Sequence, residues 1–245
     1  MSPTMILCLV ACSMLVPWAT SQTIPIDAAP TEYPYAVKTF YVNQGISMVG
    51  LGLAVSKHYL LASAYSKYNW NLTAVELTDQ QGVVHPVFNV SDVGDGTDPF
   101  IYFKTCKKFS GPMYSLKVAG FNNFSETVND AEIIFFSQES NVLKKIPVAI
   151  LNQTACETET NATIALQKLC IAPIPIANIC KNFYGSTPSP FEQQPMVGIK
   201  GQVHGSRHLL GCDGQNNWTS IGKFYRFDYN IPDIIGAIPV VDLKD

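Results

Sequence analysis

Charged side chains are scarce in this chain. Asp, Glu, Lys and Arg make up only 14% of its 245 residues, and the formal net charge is −3. Such a composition indicates neither a basic stripe for a polyanion, nucleic acid included, nor a disordered acidic tail. The sequence also lacks a glycine-rich phosphate-binding loop, and its histidines do not have the spacing of metal ligands. We therefore expect no cofactor and no metal ion.

Helical periodicity is missing too, apart from the N-terminal segment, and there are no internal repeats or low-complexity tracts. The chain has instead 16 Pro and 16 Gly, set among short β-branched and aromatic runs. This composition is typical of many strands joined by tight turns. A chain of this length can bury a core of its own, as one all-β unit or as two small domains.

Strand-like runs recur at short intervals in two sets of six. The first set is 36–42, 47–55, 59–64, 73–78, 83–90 and 100–105. The second set is 131–137, 146–151, 164–172, 195–201, 208–212 and 221–228. Alternation and β-branched or aromatic content predict the strands, and Gly-rich joints predict the turns between them. A generic secreted β-sandwich is one interpretation of this pattern.

The first residues, 1–21, form an apolar segment that ends in Ala-Thr-Ser. Small residues at positions −3 and −1 before Gln22 predict a signal peptide cleaved at that point. A membrane anchor is the alternative, but the apolar run is short for a span and Pro17 interrupts its end. No later window approaches a transmembrane length. We expect a soluble protein that is secreted to the extracellular space.

Glycosylation sequons support that compartment. The sequence has six of them, at Asn71, Asn89, Asn123, Asn152, Asn161 and Asn217. Each marks a surface position if a glycan is attached. We therefore expect a glycoprotein, with the occupancy of the individual sites left open.

The cysteines also favour an extracellular protein. Of the seven, Cys8 and Cys12 belong to the signal segment, which leaves five. In an oxidising compartment five cysteines predict two disulfide bonds and one leftover thiol. The spacing alone allows several pairings.

The stretch from Cys170 to Cys212 carries the most information. It reads C-I-A, then a cysteine about ten residues later, a turn-rich segment, an apolar M-V-G-I run and a closing G-C. This layout resembles the C-terminal half of the chymotrypsin-like serine proteases, which have a CAG-type strand, C-x-G-D-S-G-G-P-L, L-V-G-I and G-C. The P-Y-A-V run at 34–37 is similar to the P-Y-x-V strand of the same family.

The resemblance implies an all-β fold of two six-stranded antiparallel Greek-key barrels. Barrel one would span about 22–115 and barrel two about 116–235. The resemblance also implies the pairs Cys156–Cys170 and Cys180–Cys212, with Cys106 left free or available for an intermolecular bond.

The family's catalytic base is missing. Serine hydrolysis needs a hydroxyl nucleophile, an imidazole base and a carboxylate that orients the imidazole. The family's L-T-A-A-H-C motif matches L-A-S-A-Y-S at 61–66, so Tyr65 stands in place of the histidine. A phenol with a pKa of about 10 is neutral at pH 7 and is a poor proton acceptor there. The cysteine next to that histidine is Ser66 and its partner cysteine is Gly50, so one family disulfide is absent as a pair.

The other two catalytic positions are less well defined. The carboxylate motif best matches Asp98, although Asp92 and Asp95 remain alternatives because the interval from Tyr65 is short. If the family's P-L pair is matched to Pro190-Phe191, the nucleophile position is Thr187. Ser186 takes that position if the loop slips by one residue.

Activation and specificity features are altered as well. In active relatives a freed Ile ammonium pairs with the Asp before the nucleophile. Here no basic cleavage site precedes Ile24, and the Asp position is Ser186. The positions that match the specificity pocket and oxyanion turn are Asn178, Gly185, Gly201 and Val203. None of the four histidines, His58, His85, His204 and His208, falls at the base position, and we interpret each as a surface or hydrogen-bonded side chain.

The sequence therefore predicts a catalytically inactive homologue that binds another secreted protein, as a decoy, cofactor or regulator of a protease cascade. An active serine endopeptidase with a rearranged site is one alternative, and a structural or storage glycoprotein is another. The loop 182–194 is a candidate binding surface, with Phe183, Tyr184 and Phe191 as exposed anchors. Packing of these aromatic side chains against the protein is the competing interpretation.

Overall fold

The computed structural model describes residues 24–43, 45–63, 72–93, 100–116, 124–185, 191–229 and 235–236. The segment 1–21 and the sequons at Asn71 and Asn123 lie outside these ranges. Within them the chain forms fourteen strands and one α-helix. The strands of the first half are β1 (Ile26–Asp27), β2 (Ala36–Asn43), β3 (Ile46–Ala54), β4 (Tyr59–Ser63), β5 (Leu72–Asp79), β6 (Val87–Asp92) and β7 (Phe100–Thr105). Those of the second half are β8 (Val128–Phe136), β9 (Leu143–Leu151), β10 (Lys168–Ile171), β11 (Phe191–Gln194), β12 (Met196–Ile199), β13 (Gln202–Leu209) and β14 (Gly222–Arg226), with α1 (Gln153–Thr160) between β9 and β10.

Barrel one is an antiparallel sheet in the order β5-β2-β3-β4-β7-β6. Its strands are apolar on both faces because one face lines the barrel and the other packs toward barrel two. In β7, Phe100 and Tyr102 belong to one buried cluster while Ile101 and Phe103 belong to another. Successive side chains of a strand point to opposite faces, so a strand buried on both sides reads as a continuous apolar run.

Barrel two closes on itself. Its order is β9-β10-β14-β13-β12-β8, and β8 also pairs with β9. Its core contains Phe135, Phe183, Trp218 and Phe224. Two disulfide bonds, Cys156–Cys170 and Cys180–Cys212, belong to this half of the molecule. The pairing is the one that the resemblance implies, and Cys106 is an exposed free thiol. The two six-stranded antiparallel barrels predicted from the sequence are thus confirmed.

The N-terminal segment ties the halves together. Strand β1 pairs with Lys144–Lys145 of β9, although the division of the sequence at about residue 115 counts it with barrel one. The Tyr33 hydroxyl donates to Glu132 of β8, and the Tyr35 hydroxyl donates to the carbonyl of Gly201 at 2.6 Å. The segment before β2 therefore lies against barrel two.

Several elements differ from the sequence prediction. The strand expected at 208–212 is β13, which runs over Gln202–Leu209. The strand expected to begin at residue 83 begins at Val87. Helix α1 has no predicted counterpart, because it is short and Cys156 is its one buried residue. Asn152 caps it, with its side-chain oxygen accepting from the amide of Ala155 at 2.8 Å, in a typical N-cap arrangement.

Candidate functional site between the barrels

The expected catalytic positions fall at the edges of what the structure describes. Tyr65, Asp98, Thr187 and Ser186 all lie outside the described residues, as does Asp95. Asp92, the other alternative for the carboxylate, is the last residue of β6 and pairs with Ile101. The described part of the site is therefore the packed region between the barrels where strands β3, β11 and β13 meet. We call this region the groove.

Strand β11 is the unusual element of this groove. It leaves barrel two and pairs in parallel with β3 of barrel one, with Glu192 opposite Met48 and Gln194 opposite Gly50. Tyr184 forms a bridge with Glu192, and the amide of Gln193 donates to the carbonyl of Phe183 at 2.9 Å. The main chain of β11 is thus engaged by neighbours on both sides, and its amide groups are used in sheet pairing.

Gly50 of β3 has room for no side chain. A Cβ atom added there would lie 2.5 Å from Oγ1 of Thr39 and 3.4 Å from Cβ of Gln194. The Thr39 side chain of β2 is therefore what excludes a side chain at Gly50, while Gln194 of β11 lies at ordinary contact distance.

A buried arginine holds β11 on its other side. Arg207 of β13 is only 5% exposed. Its Nη1 donates to the carbonyl of Gln193 at 2.5 Å and lies 3.5 Å from Oε2 of Glu192. Its Nη2 donates to the hydroxyl of Tyr184 at 3.0 Å, and its guanidinium lies 5.2 Å from the centre of that ring. The guanidinium links the main chain of β11, a carboxylate and an aromatic ring in one contact set.

Two glutamines fill the rest of the groove. The Nε2 of Gln193 donates to the carbonyl of Phe136 at 2.8 Å. Gln194 is as deeply buried, and its side-chain amide has no hydrogen-bond partner in the described part of the chain; the same holds there for the buried hydroxyls of Ser63 and Ser206. Each unsatisfied polar group costs about 1–3 kcal/mol, and such groups are rare in protein interiors. Gln194 of β11 and Ser206 of β13 therefore make this region unusually polar for a protein interior.

Tyr41 of β2 lies in the same region. Burial raises the pKa of its phenol, and Glu192 raises it further, while Arg207 acts in the opposite direction. The phenol is therefore neutral across the physiological pH range, so it cannot act as a proton acceptor there.

The residues predicted to line a specificity pocket have different local environments. Asn178 has a left-handed backbone (φ 59°) before a 3₁₀ turn, and its amide donates to the side chain of Asn217. Gly201 lies in the β12–β13 turn with φ 77°, a conformation that favours glycine. Val203 is buried, and its carbonyl accepts from the hydroxyl of Tyr114. Gly185 directly precedes residues that are not described.

The loop 182–194 does not present the expected row of aromatic anchors. Phe183 is fully buried, with ring centroids 5.1 Å from Phe135 and 5.9 Å from Trp218. The prediction that it is exposed is wrong, because the side chain belongs to the core of barrel two. Tyr184 is half-buried against Arg207, and the side chain of Phe191 is not described.

The sequon asparagines have different environments. Asn89 and Asn161 are exposed, the latter as the left-handed C-cap of α1. Asn152 is the N-cap of that helix, and the Asn217 side chain accepts from the amide of Asn178.

Neither a metal site nor a membrane-spanning helix is present in the described part of the chain. No cluster of His, Cys, Asp and Glu there could hold a metal ion. No helix in those ranges is long and apolar enough to cross a membrane.

Comparison with known proteins identifies the fold. No protein-family model matches the chain, and no curated protein matches it in sequence. Among solved structures it is similar to the scabies mite inactivated protease paralogue S-I1, with a TM-score of 0.60, 13% identity, and coverage of 87% of this chain and 99% of that one. It is also similar to neuropsin from mouse brain, with a TM-score of 0.59, 13% identity, and coverage of 88% and 99%. The Vibrio cholerae VesB protease gives a TM-score of 0.60 at 12% identity, with coverage of 86% and 65%.

The chain is thus a double-barrel all-β protein, and the particular fold is that of the trypsin-like serine proteases. At these identities the likeness concerns the fold alone.

Sequence reasoning missed the residues that fill the groove, namely Glu192, Gln193, Gln194 and Arg207. One signal was available: two adjacent glutamines and an arginine stand beside apolar runs that must enter a core. Nothing in the local sequence indicates that β11 crosses to barrel one.

Proposed function

We propose that this protein is a secreted, non-catalytic homologue of the trypsin-like serine proteases that acts by binding another secreted protein. The observation that carries the proposal is the main-chain pairing of β11 with β3 between the barrels. In a working hydrolase the groove must admit a peptide, and backbone amides must be free to stabilise the oxyanion. Here β11 pairs with β3, and Arg207 lies against it in the interior.

The sequence supports this in either register of the nucleophile motif. Matched to Pro190-Phe191, the family's D-S-G-G-P-L places Thr187 at the nucleophile. The pair Pro195-Met196, which leads into β12, is a second match and places Glu192 there. The two motif glycines then correspond to Gln193 and Gln194. Neither register keeps the acid before the nucleophile or the glycine pair, and Tyr65 replaces the base in both.

A neighbouring fold shows that the combination has a precedent. The scabies mite protein similar to this chain is named an inactivated protease paralogue. A trypsin-like scaffold can therefore persist without the activity, since fold and function are separable. Decoy, cofactor and regulator of a protease cascade are the roles open to such a protein.

The first test is covalent labelling. The purified protein is treated with a fluorophosphonate probe beside active trypsin and heat-denatured protein. We expect labelling of trypsin only, and no turnover of peptide substrates. The variant Tyr65→His should also remain unlabelled, because it restores the base but leaves the groove filled. Probe attachment to a serine or threonine of the native protein contradicts the proposal.

The second test addresses binding. Immobilised protein captures partners from the native fluid, and each captured protein is then titrated in purified form. A saturable complex supports the proposal. Absence of any saturable partner in the fluid favours a structural or storage role.

A further inference from the structure

The positive charges without a carboxylate partner are unevenly distributed. Most described basic side chains outside barrel one are paired, among them Lys144, Lys145, Lys200, Arg207 and Arg226. In barrel one, Lys57, Lys104, Lys107 and Lys108 have no salt bridge in the described part of the chain. Lys38, Lys168, Lys181 and Lys223 also have no salt bridge among the described residues, so what distinguishes the four lysines of barrel one is that they lie on two adjacent segments.

Main-chain pairing brings these lysines together. Lys104 pairs with Tyr59, the amide of Thr105 donates to His58, and the amide of Phe109 donates to the carbonyl of Lys57 at 2.8 Å. Residues 57–58 therefore run alongside residues 104–109, so the four lysines extend from two adjacent segments.

The loop that bears Lys107 and Lys108 is held in place by polar contacts with buried side chains of barrel one. The hydroxyl of Thr105 donates to the carbonyl of Lys107 at 2.8 Å, and Nδ1 of His85 lies 3.4 Å from the same oxygen. His85 is buried, and its Nε2 lies 3.0 Å from Oδ2 of Asp79. Asp79 is therefore linked to this loop through the buried imidazole of His85, and its contact faces the interior.

An exposed apolar pair borders the lysines. Phe88 is 72% exposed and Val84 is 48% exposed. Both belong to the segment on the other side of residues 104–108, because Val87 pairs with Thr105 and the amide of Cys106 donates to the carbonyl of Pro86. We call the surface formed by Val84, Phe88, Lys57, Lys104, Lys107 and Lys108 the lysine–phenylalanine face.

We infer that the lysine–phenylalanine face binds an acidic segment of the partner protein, one that carries an apolar side chain among its carboxylates. The inference rests on the proposed function and names the chemistry of the partner. Lysines without carboxylate partners attract carboxylates, and an exposed aromatic side chain supplies the apolar anchor common at interface centres. A sulfated polysaccharide would use the lysines but would leave Phe88 without a role. An anionic membrane would use both, and the proposed role of binding a secreted protein is what favours an acidic protein segment.

The test uses a short fluorescein-labelled peptide that alternates Glu with Leu and Phe, followed by fluorescence anisotropy. Its neutral control has Gln in place of each Glu. We expect saturable binding of the acidic peptide that weakens as salt is raised, because exposed charges are screened. Binding of both peptides with equal affinity overturns the inference.

Matched variants separate the face from general charge. Lys107→Glu with Lys108→Glu should weaken binding by about tenfold or more. Lys181→Glu with Lys223→Glu changes the net charge equally, at sites elsewhere on the surface, and should have little effect. Phe88→Ala should weaken binding by about fivefold or more, whereas Leu166→Ala, at another exposed apolar residue, should not. Equal losses from the two lysine pairs, or an unchanged affinity in Phe88→Ala, contradict the inference.

Two further measurements identify which kind of molecule binds the face and show whether the face or the proposed function is wrong. Heparin and phosphatidylserine vesicles are tested as competitors, and retention of either without the peptide rejects an acidic protein segment. A captured partner that binds the lysine variants as well as the unchanged protein rejects the face but leaves the proposed function intact. Peptide binding together with fluorophosphonate labelling rejects the proposed function but leaves the face.

Discussion

Phe183 lies in a polar, turn-rich sequence and Phe88 in the valine-rich run 83–90, but their environments are the reverse of what these sequences suggest. Phe183 packs between Phe135 and Trp218 in the core of barrel two. Phe88 lies on the edge of barrel one with 72% of its surface exposed. The partners of Phe183 come from strands and loops far away in sequence, so the local sequence gives no indication of its burial. An exposed aromatic residue is the more informative of the two, since core packing does not account for it.

The comparison extends to the two segments as wholes. The segment 182–194 turns inward, and β11 and Arg207 fix it against both barrels. The segment 84–88 lies beside lysines that lack carboxylate partners. One segment is therefore held between the barrels, and the other lies at the surface.

The largest difference between the two phenylalanines should appear in stability. Phe183→Ala removes a fully buried ring and should lower the free energy of unfolding by about 3–5 kcal/mol. Phe88→Ala removes an exposed ring and should change it by no more than about 0.5 kcal/mol. Urea denaturation followed by tryptophan fluorescence measures both. Similar values for the two variants would show that the contrast in burial is wrong.

The fold was predictable from the sequence because alternating apolar runs at short intervals define strands, and two sets of them match two barrels. Strand β7 illustrates this, since its alternation divides cleanly between two cores. The disulfide pairing followed from the resemblance. The match of Tyr65 to the base position rests on the same resemblance and stays a prediction, because Tyr65 lies outside the described residues.

The filling of the groove was not predictable. Strand β13 carries His204, Gly205, Ser206 and Arg207 in succession, a run that reads as a loop, and all four are buried. Their burial comes from the barrels on either side, a tertiary effect that local pattern does not contain. Strand β11 likewise pairs with β3, more than a hundred residues earlier in the chain.

Removal of a disulfide bond should have the next largest effect on the free energy of unfolding. Both bonds lie in barrel two, whereas the free Cys106 lies in barrel one. The bond Cys180–Cys212 spans 32 residues and Cys156–Cys170 spans 14. Replacing either pair by serine should cost about 2–4 kcal/mol, with the larger loss for the longer loop. Cys106→Ser should be nearly neutral, because this thiol is exposed and free. Denaturation of the three variants under non-reducing conditions tests the order, and a stronger effect of Cys106→Ser would contradict it.

A smaller loss of stability is expected when the contact between Tyr184 of the loop 182–194 and Arg207 of β13 is removed. Tyr184→Phe removes the hydroxyl that accepts from Nη2 of Arg207. The loss should be about 1–2 kcal/mol, because the donor is charged and buried. Tyr225→Phe is the matched control, since its hydroxyl makes no hydrogen bond within the described part of the chain. Equal stability of Tyr184→Phe and the unchanged protein would mean that Arg207 holds β11 without this contact.

The smallest expected effect is a loss of stability at acid pH that arises from His204 in barrel two. Burial lowers the pKa of His204; Asp228 acts in the opposite direction, and Arg226 reinforces burial. Unfolding returns the imidazole to its ordinary pKa of about 6.5, so at mildly acid pH the unfolded chain binds more protons than the folded one. The free energy of unfolding should therefore fall as the pH drops through about 6.5, and this contribution should be fully present above it. Thermal melts on both sides of that pH, compared between the unchanged protein and His204→Gln, isolate the contribution of this side chain. The variant should lose less stability on acidification. An identical pH dependence of the two proteins would show that His204 is protonated as easily in the folded state as in the unfolded one.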